Sequence, residues 1–315
     1  LNKNTKKGLM FGAFGVIAES FLPVVTNLRP DALDAFYFAW FTMIFESIFI
    51  FPLMIAERKK FKNKLYLMEN ATELETKLSR NQIILSNIII GIIFAVALII
   101  QFYALPIAGA ILSSIVLKSS LIFSMLIGVV LLHEKVTKQQ LVFTLTLLFG
   151  LFFTLTNGFA AVVEMNIGAI MLFFLPLLWM FGHYFTKKLM DVQKSPPMTI
   201  VISRTAIGSL VLGIFYVIAF PDRSIFILLD LQNLLSLLLA GVVYSIIHIC
   251  WYKVLQYMDL SKSTTIYALT PIVTSIFALI ILNEKFTVIH LIGITVVIIS
   301  ILFFYREHPK KENND

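Results

Sequence analysis

The chain has 315 residues, 59% of them hydrophobic and 14% charged, where soluble chains run at roughly 45–50% and 25%. A mean hydropathy of +0.90 is more apolar surface than a folded particle of this length can hide from water, which excludes a soluble globular protein. The single cysteine, Cys250, excludes an internal disulfide and a thiolate metal cluster, and the net charge of +7 lies in short strips between apolar runs rather than on one basic face, which excludes a nucleic-acid binder.

Apolar runs of about 17 residues or more, enough to cross a bilayer, fall at 9–27, 35–55, 82–104, 110–132, 138–157, 167–187, 199–219, 233–255, 262–282 and 287–305. The fold class expected is therefore an all-α integral membrane protein with ten transmembrane helices. Lys3, Lys6 and Lys7 precede a first run too long for a cleaved signal peptide. Lysine and arginine then set the orientation. With the N-terminus inside, twenty of them fall on the cytoplasmic side and only Arg29, Arg223 and Lys285 on the other, while Lys118 and Arg204 lie within spans. That bias predicts a cytoplasmic (plasma) membrane protein with both termini cytoplasmic. The longest connection, 57–81, is expected to be a solvated charged loop.

Shifting the chain on itself by 150 residues exposes a repeat. Leu105 meets Leu255, Ser113 meets Ser263, Ile122 meets Ile272, and Leu132-His133-Glu134-Lys135-Val136-Thr137 meets Leu282-Asn283-Glu284-Lys285-Phe286-Thr287. A shift of 160 sets Gly8 on Gly168 and Glu19 on Trp179. Residues 1–157 and 158–315 thus form two five-helix units. An odd number of helices per unit inverts the second relative to the first, the arrangement of alternating-access carriers. Thr137-Lys138-Gln139-Gln140 reads as a capping box for the fifth span. Glu134 and Glu284 sit in the preceding turns, beside helix N-termini that favour a carboxylate, and are read as structural.

Tyr103-Ala104-Leu105 followed by Glu134-Lys135-Val136-Thr137, with Thr270-Pro271 followed by Glu284-Lys285-Phe286-Thr287, resembles the drug/metabolite transporter superfamily, and within it the EamA family. Trp179 resembles that family's first-helix tryptophan. The resemblance covers nearly the whole chain and implies two five-helix repeats and transport of a small molecule. Two positions depart from the pattern: Leu121 stands where a proline is usual, and Glu19 where a small residue or tryptophan is more common. Ile17-Ala18-Glu19-Ser20 also resembles the first-helix glutamate region of the small multidrug resistance family, which implies alternate binding of protons and cationic drugs.

An ionised side chain in mid-bilayer costs roughly 2.5–3.5 kcal/mol on insertion scales, so each one needs a reason. Glu19, Glu46 and Lys118 fall near the middles of the first, second and fourth spans, within roughly 6 Å of one another in depth at the helical rise per residue. They are expected to line a cavity between the units, with Lys118 in reach of one of the two acids. Arg204 is counted with them as a candidate site residue, although its place nearer the inner interface favours snorkelling to the headgroups. His183 and His248 either relay protons or serve as hydrogen-bonded packing residues, and Tyr267 offers an aromatic wall. Gly8-x-x-x-Gly12 permits close helix approach.

The chain carries no zinc-protease motif, phosphate-binding glycine loop or acidic diphosphate cluster. No metal, cofactor or enzymatic activity is expected; the partners are a small-molecule substrate and the lipid bilayer, with the chain a monomer or homodimer. One base and two acids at similar depth suit an amino acid or related zwitterion: Lys118 meets its carboxylate, Glu19 or Glu46 its amine, and the spare glutamate, made easier to protonate by burial, carries a proton in exchange. The alternatives are an exporter of cationic compounds and a membrane-embedded lipid-modifying enzyme.

Overall fold

The computed structural model describes residues 3–68, 78–135, 137–155, 167–192, 195–220 and 225–283, with the single positions 288, 291, 292, 295, 296 and 299. No strand occurs among them. The helices are α1 (Lys3–Asn27), α2 (Ala35–Met68), α3 (Arg80–Ala108), α4 (Ala110–Val116), α5 (Ser120–Leu131), α6 (Lys138–Leu155), α7 (Ile167–Asp191), α8 (Pro197–Ala219), α9 (Leu231–Tyr257), α10 (Leu260–Ile266) and α11 (Thr270–Ile281). With α4–α5 and α10–α11 each taken as one span, eight are long and apolar enough to cross a membrane. The fifth expected span, 138–157, is helical over Lys138–Leu155 as α6, which is not among those eight. The tenth, 287–305, falls outside the described residues except at six positions.

Helix α2 departs from expectation. Instead of ending near residue 55 it continues to Met68, so residues 57–68 are helix rather than loop. The physical reason is local: Lys, Arg, Leu and Met are good helix formers, and no glycine or proline follows Pro52 to stop the helix at the membrane surface. At 34 residues it is about 51 Å long, well beyond a hydrocarbon core of about 30 Å.

The fourth and ninth spans break in mid-membrane at equivalent places. A 3₁₀ turn at Leu117–Ser119 separates α4 from α5, and another at Tyr267–Leu269 separates α10 from α11. Pro271 removes a backbone donor just after the second break, yet the first persists with Leu121 in the corresponding position, so proline is not what breaks the helix. Hydroxyls satisfy the carbonyls instead. Ser114 Oγ donates to Ile111 O (2.7 Å), Ser124 Oγ to Leu121 O (3.0 Å) and Thr270 Oγ1 to Tyr267 O (2.6 Å). Both spans end alike: His133 at φ 54° and Asn283 at φ 55° occupy the left-handed region that closes a helix.

Packing follows the same exchange of halves. Helix α1 lies along α9 as α7 lies along α3, and α2 crosses α9 as α8 crosses α3. The two broken spans run antiparallel, α4 against α11 and α5 against α10. Gly91 and Gly241, 150 residues apart, make the equivalent crossings possible. A Cβ on Gly91 would lie 2.6 Å from Ile207 of α8, and one on Gly241 2.5 Å from Phe45 of α2. Gly8 and Gly12 bring α1 equally close to Met258 and Ile266.

At the helix ends the Thr137–Gln140 capping box forms as expected, Gln140 N donating to Thr137 Oγ1 (3.1 Å) and Thr137 N to Gln140 Oε1 (3.0 Å). Glu134 does not serve that terminus. Its carboxylate accepts from Leu260 N (2.7 Å), Ser261 N (3.2 Å) and Ser261 Oγ (2.7 Å), capping α10 of the other half. The box already satisfies α6, which leaves Glu134 free to reach across. Glu57 likewise accepts from Met198 N at the start of α8 (2.8 Å) and pairs with Lys253. Glu284 lies outside the described residues. These contacts all join segments that the charge bias puts on one face, whereas Arg29, assigned to the opposite face, donates to Phe102 O there (3.1 Å).

Gly91→Leu and Gly241→Leu should each lower the melting temperature of the detergent-solubilised protein, by overpacking worth roughly 1–3 kcal/mol. Ile218→Leu, at a side chain 75% exposed to the lipid side, should leave it in place. Unchanged melting in both glycine variants would contradict the close crossings.

Candidate functional site

A cavity of ≈ 110 Å³ lies where the two halves meet, room for several waters or a small guest. The first half contributes Glu19 of α1, Glu46 of α2, Gln101 of α3 and Lys118 from the break after α4. The second contributes Trp179 and His183 of α7, Arg204 of α8, His248 and Trp251 of α9, and Tyr267 from the break before α11. All eight residues expected at a site therefore border one space. The helix breaks explain two of them, since Lys118 and Tyr267 both sit within the 3₁₀ turns.

Lys118 lies in reach of one of the two acids and all three charges line the cavity, but the second acid has a base of its own. Lys118 Nζ donates to Glu19 Oε1 at 3.1 Å. Glu46 pairs elsewhere, with its Oε1 3.1 Å from Arg204 Nη2 and 2.7 Å from His248 Nδ1. Depth counted along the chain is blind to the direction a side chain takes around its helix, and this is why the three were grouped together. Lys118 is 3% exposed and Glu19 26%, so the acid is the member of that pair with open space beside it.

Arg204 does not snorkel. It is 1% exposed and its guanidinium is held between two rings, 4.4 Å from the Phe94 centroid and 5.4 Å from that of Tyr252. Pairing with Glu46 at its own depth removes the reason to reach for headgroups, and the two rings add cation–π attraction. Its Nε and Nη1 have no hydrogen-bond partner among the described residues, and neither has the hydroxyl of Tyr267 or Tyr252. Buried polar atoms without partners are costly. Those of Arg204 and Tyr267 belong to residues that border the cavity.

The two histidines take different roles. His183 accepts from Trp251 Nε1 at 3.3 Å and lies against Phe94, ring centroids 5.0 Å apart, as a packing residue does. His248 Nδ1 lies between an acid and a base, 2.8 Å from Arg204 Nη2 as well as 2.7 Å from Glu46. Sequence reasoning overlooked Gln101, whose Oε1 accepts from Tyr244 OH at 2.7 Å; the signal was an amide beyond the apolar run 88–100. Among the described residues no group of three or more His, Cys, Asp or Glu is placed to hold a metal.

A sequence profile of the EamA-like transporter family matches the chain twice, over residues 6–156 and 166–306. A solved crystal structure superposes with a TM-score of 0.68, covering 95% of this chain and 96% of that one at 11% identity, a likeness of fold. No curated protein matches the chain.

Arg204→Met leaves a buried carboxylate short of a partner and should destabilise the purified protein by about 3–5 kcal/mol; adding Glu46→Leu should restore most of that loss. Equal thermal destabilisation in the single and double variants would show that the two side chains do not compensate each other.

Proposed function

The chain belongs to the EamA-like transporter family of small-molecule carriers, and on that premise we propose that it moves an amino acid or a related zwitterion across the cytoplasmic membrane by alternating access, coupled to protons. The observation that carries this reading is the Glu19–Lys118 pair on the wall of a cavity shared by both halves. A zwitterion inserted between them replaces one ion pair by two, its carboxylate on Lys118 and its amine on Glu19, with no net charge added where the dielectric is low. The antiparallel packing of the broken spans supports two inverted halves, related by a half-turn about an axis in the membrane plane, and such halves rock about a midplane site. Both termini are assigned to the cytoplasm on the lysine and arginine bias, and the working unit is a monomer or a homodimer.

A second reading rests on the aromatic walls. Trp179, Trp251 and Tyr267 border the same cavity as the partly open Glu19, a combination that also suits an organic cation. Exporters of cationic compounds are the alternative for that reason. A lipid-modifying enzyme finds no comparable support.

The two readings separate in proteoliposomes by competition at fixed pH against uptake of a radiolabelled amino-acid mixture. The competitors are an unlabelled amino acid, its methyl ester, its deaminated acid and a quaternary ammonium dye. The amino acid should compete at least tenfold better than the ester or the dye, and Lys118→Ala should abolish its advantage over the ester. A dye that competes as well as the amino acid, with an ester that loses nothing, would replace the zwitterion by a cation.

A further inference from the structure

We propose that His248 is the proton-coupling residue, its Nδ1 exchanging between Arg204 in its own half and Glu46 in the other. The proposal rests on the transporter reading above and assigns the proton to a histidine rather than to a glutamate. Its ground is geometric: one ring nitrogen lies 2.8 Å from Arg204 Nη2 and 2.7 Å from Glu46 Oε1, and it can serve only one of them. A bare Nδ1 accepts from Arg204 and faces the lone pairs of Glu46. An Nδ1 that carries hydrogen donates to Glu46 and faces an N–H of Arg204. The neutral ring has both choices by tautomer; the imidazolium, protonated on both nitrogens, has only the second.

The helices turn that choice into a conformational one. Glu46 is on α2 of the first half, while Arg204 and His248 are on α8 and α9 of the second. Protonation therefore strengthens a contact between halves and weakens one within a half. A ligand biases a two-state protein through just such a difference in contact. The cluster changes from neutral to a net charge of one, next to the cavity that receives the guest. The step makes and breaks only an N–H bond, the proton arriving from and leaving to water in the cavity.

No other group among the described residues competes for the role at that position. Helix α7 presents His183, which is engaged by Trp251. The rings of Tyr244 and Tyr252, on α9 itself, lie 5.5 and 6.4 Å from His248. Helix α3 presents the uncharged Phe94 to Arg204. Glu19 of α1 is taken up by Lys118, and Tyr267, from the break before α11, stands against Trp251.

The test has two arms. In the first, without any guest, the tryptophan fluorescence of the purified protein is titrated from pH 5 to 8, read by Trp251 and Trp179 at the cavity. A single transition is expected; it should vanish in His248→Gln, leave the window in Glu46→Gln, and persist in His133→Asn, at a surface turn. Each variant is first shown to be monodisperse. In the second arm, proteoliposomes are given the radiolabelled amino-acid mixture. Accumulation driven by a pH gradient is compared with counterflow at equal pH, and His248→Gln should lower the ratio of the two at least tenfold. A transition that survives in His248→Gln, or an unchanged ratio, would overturn the proposal. If the wild-type protein carries none of the mixture, the zwitterion reading fails, and the titration alone decides the role of His248.

Discussion

A guanidinium inside a lipid-embedded bundle has to be neutralised where it stands, and Arg204 is neutralised by Glu46 from the other half of the chain. Both side chains are almost fully buried, at 2% and 1% exposure, so neither finds compensation in water. The pair consequently constrains the crossing of α2 and α8, and with it the place where the halves face each other. Gly208 lets α8 approach α2 at that crossing, where a Cβ would lie 2.8 Å from Met43, and Gly241 and Gly91 allow the neighbouring α2–α9 and α3–α8 crossings. The charge pair and the glycines are thus parts of one device: close crossings bring the charges into contact, and the contact repays their burial.

The scaffold repeats, and its chemistry does not. Gly208 packs on the backbone of Gly91 as the backbone of Glu46 packs on Gly241, so the glutamate occupies the place that glycine holds in the other half. At the shifts of 150 and 160 residues Lys118 faces Ala268, and Glu19 faces Trp179. These three charged residues of the cavity therefore have neutral counterparts. A symmetric pair of halves supplies two equivalent packings, and confining the charges to one copy of each position gives the shared cavity two chemically different sides.

How much of this was legible in the sequence depends on which physical constraint wrote it. Lipid demands runs of about 20 apolar residues, and that demand made the spans readable except at α2, where helix formers carry the helix past the membrane. The Glu-Lys-x-Thr turns marked the repeat, and the residue just before each, His133 and Asn283, takes the same left-handed conformation. Six of the eight candidate site residues could be picked out because polar groups are expensive in lipid, Trp179 through the family resemblance and Tyr267 as an aromatic wall. Their partners could not. Which acid meets which base depends on the rotation of a helix about its axis and on the crossing of its neighbour, and neither is written in the spacing along one chain. Arg204 was taken for a snorkelling residue because its depth was visible and Glu46 beside it was not. Glu134 was placed at the nearest helix start in sequence, and it caps α10 instead because a distant start is nearer in space.

The ties between halves are themselves unequal across the membrane. On the face assigned to the cytoplasm, Glu57 and Glu134 of the first half each hold the N-terminus of a second-half helix, α8 and α10. Free backbone N–H groups at helix starts are strong donors to a carboxylate, and the helix dipole adds to the attraction. On the opposite face the junction of the loop after α1 with the start of α9 is a polar groove of ≈ 470 Å³, lined by Asn27, Arg29, Asp31, Asp230 and Gln232 among others. The arrangement described is thus tied at one end and grooved at the other. A rocking motion that opened the tied end would expose two carboxylates and two helix starts to water together. Water would compensate all four, so the separation costs far less at this surface than breaking the Glu46–Arg204 pair would cost in the core. The proposed cycle follows that difference: the surface ties are the contacts that open, and the buried pair is the pivot that remains.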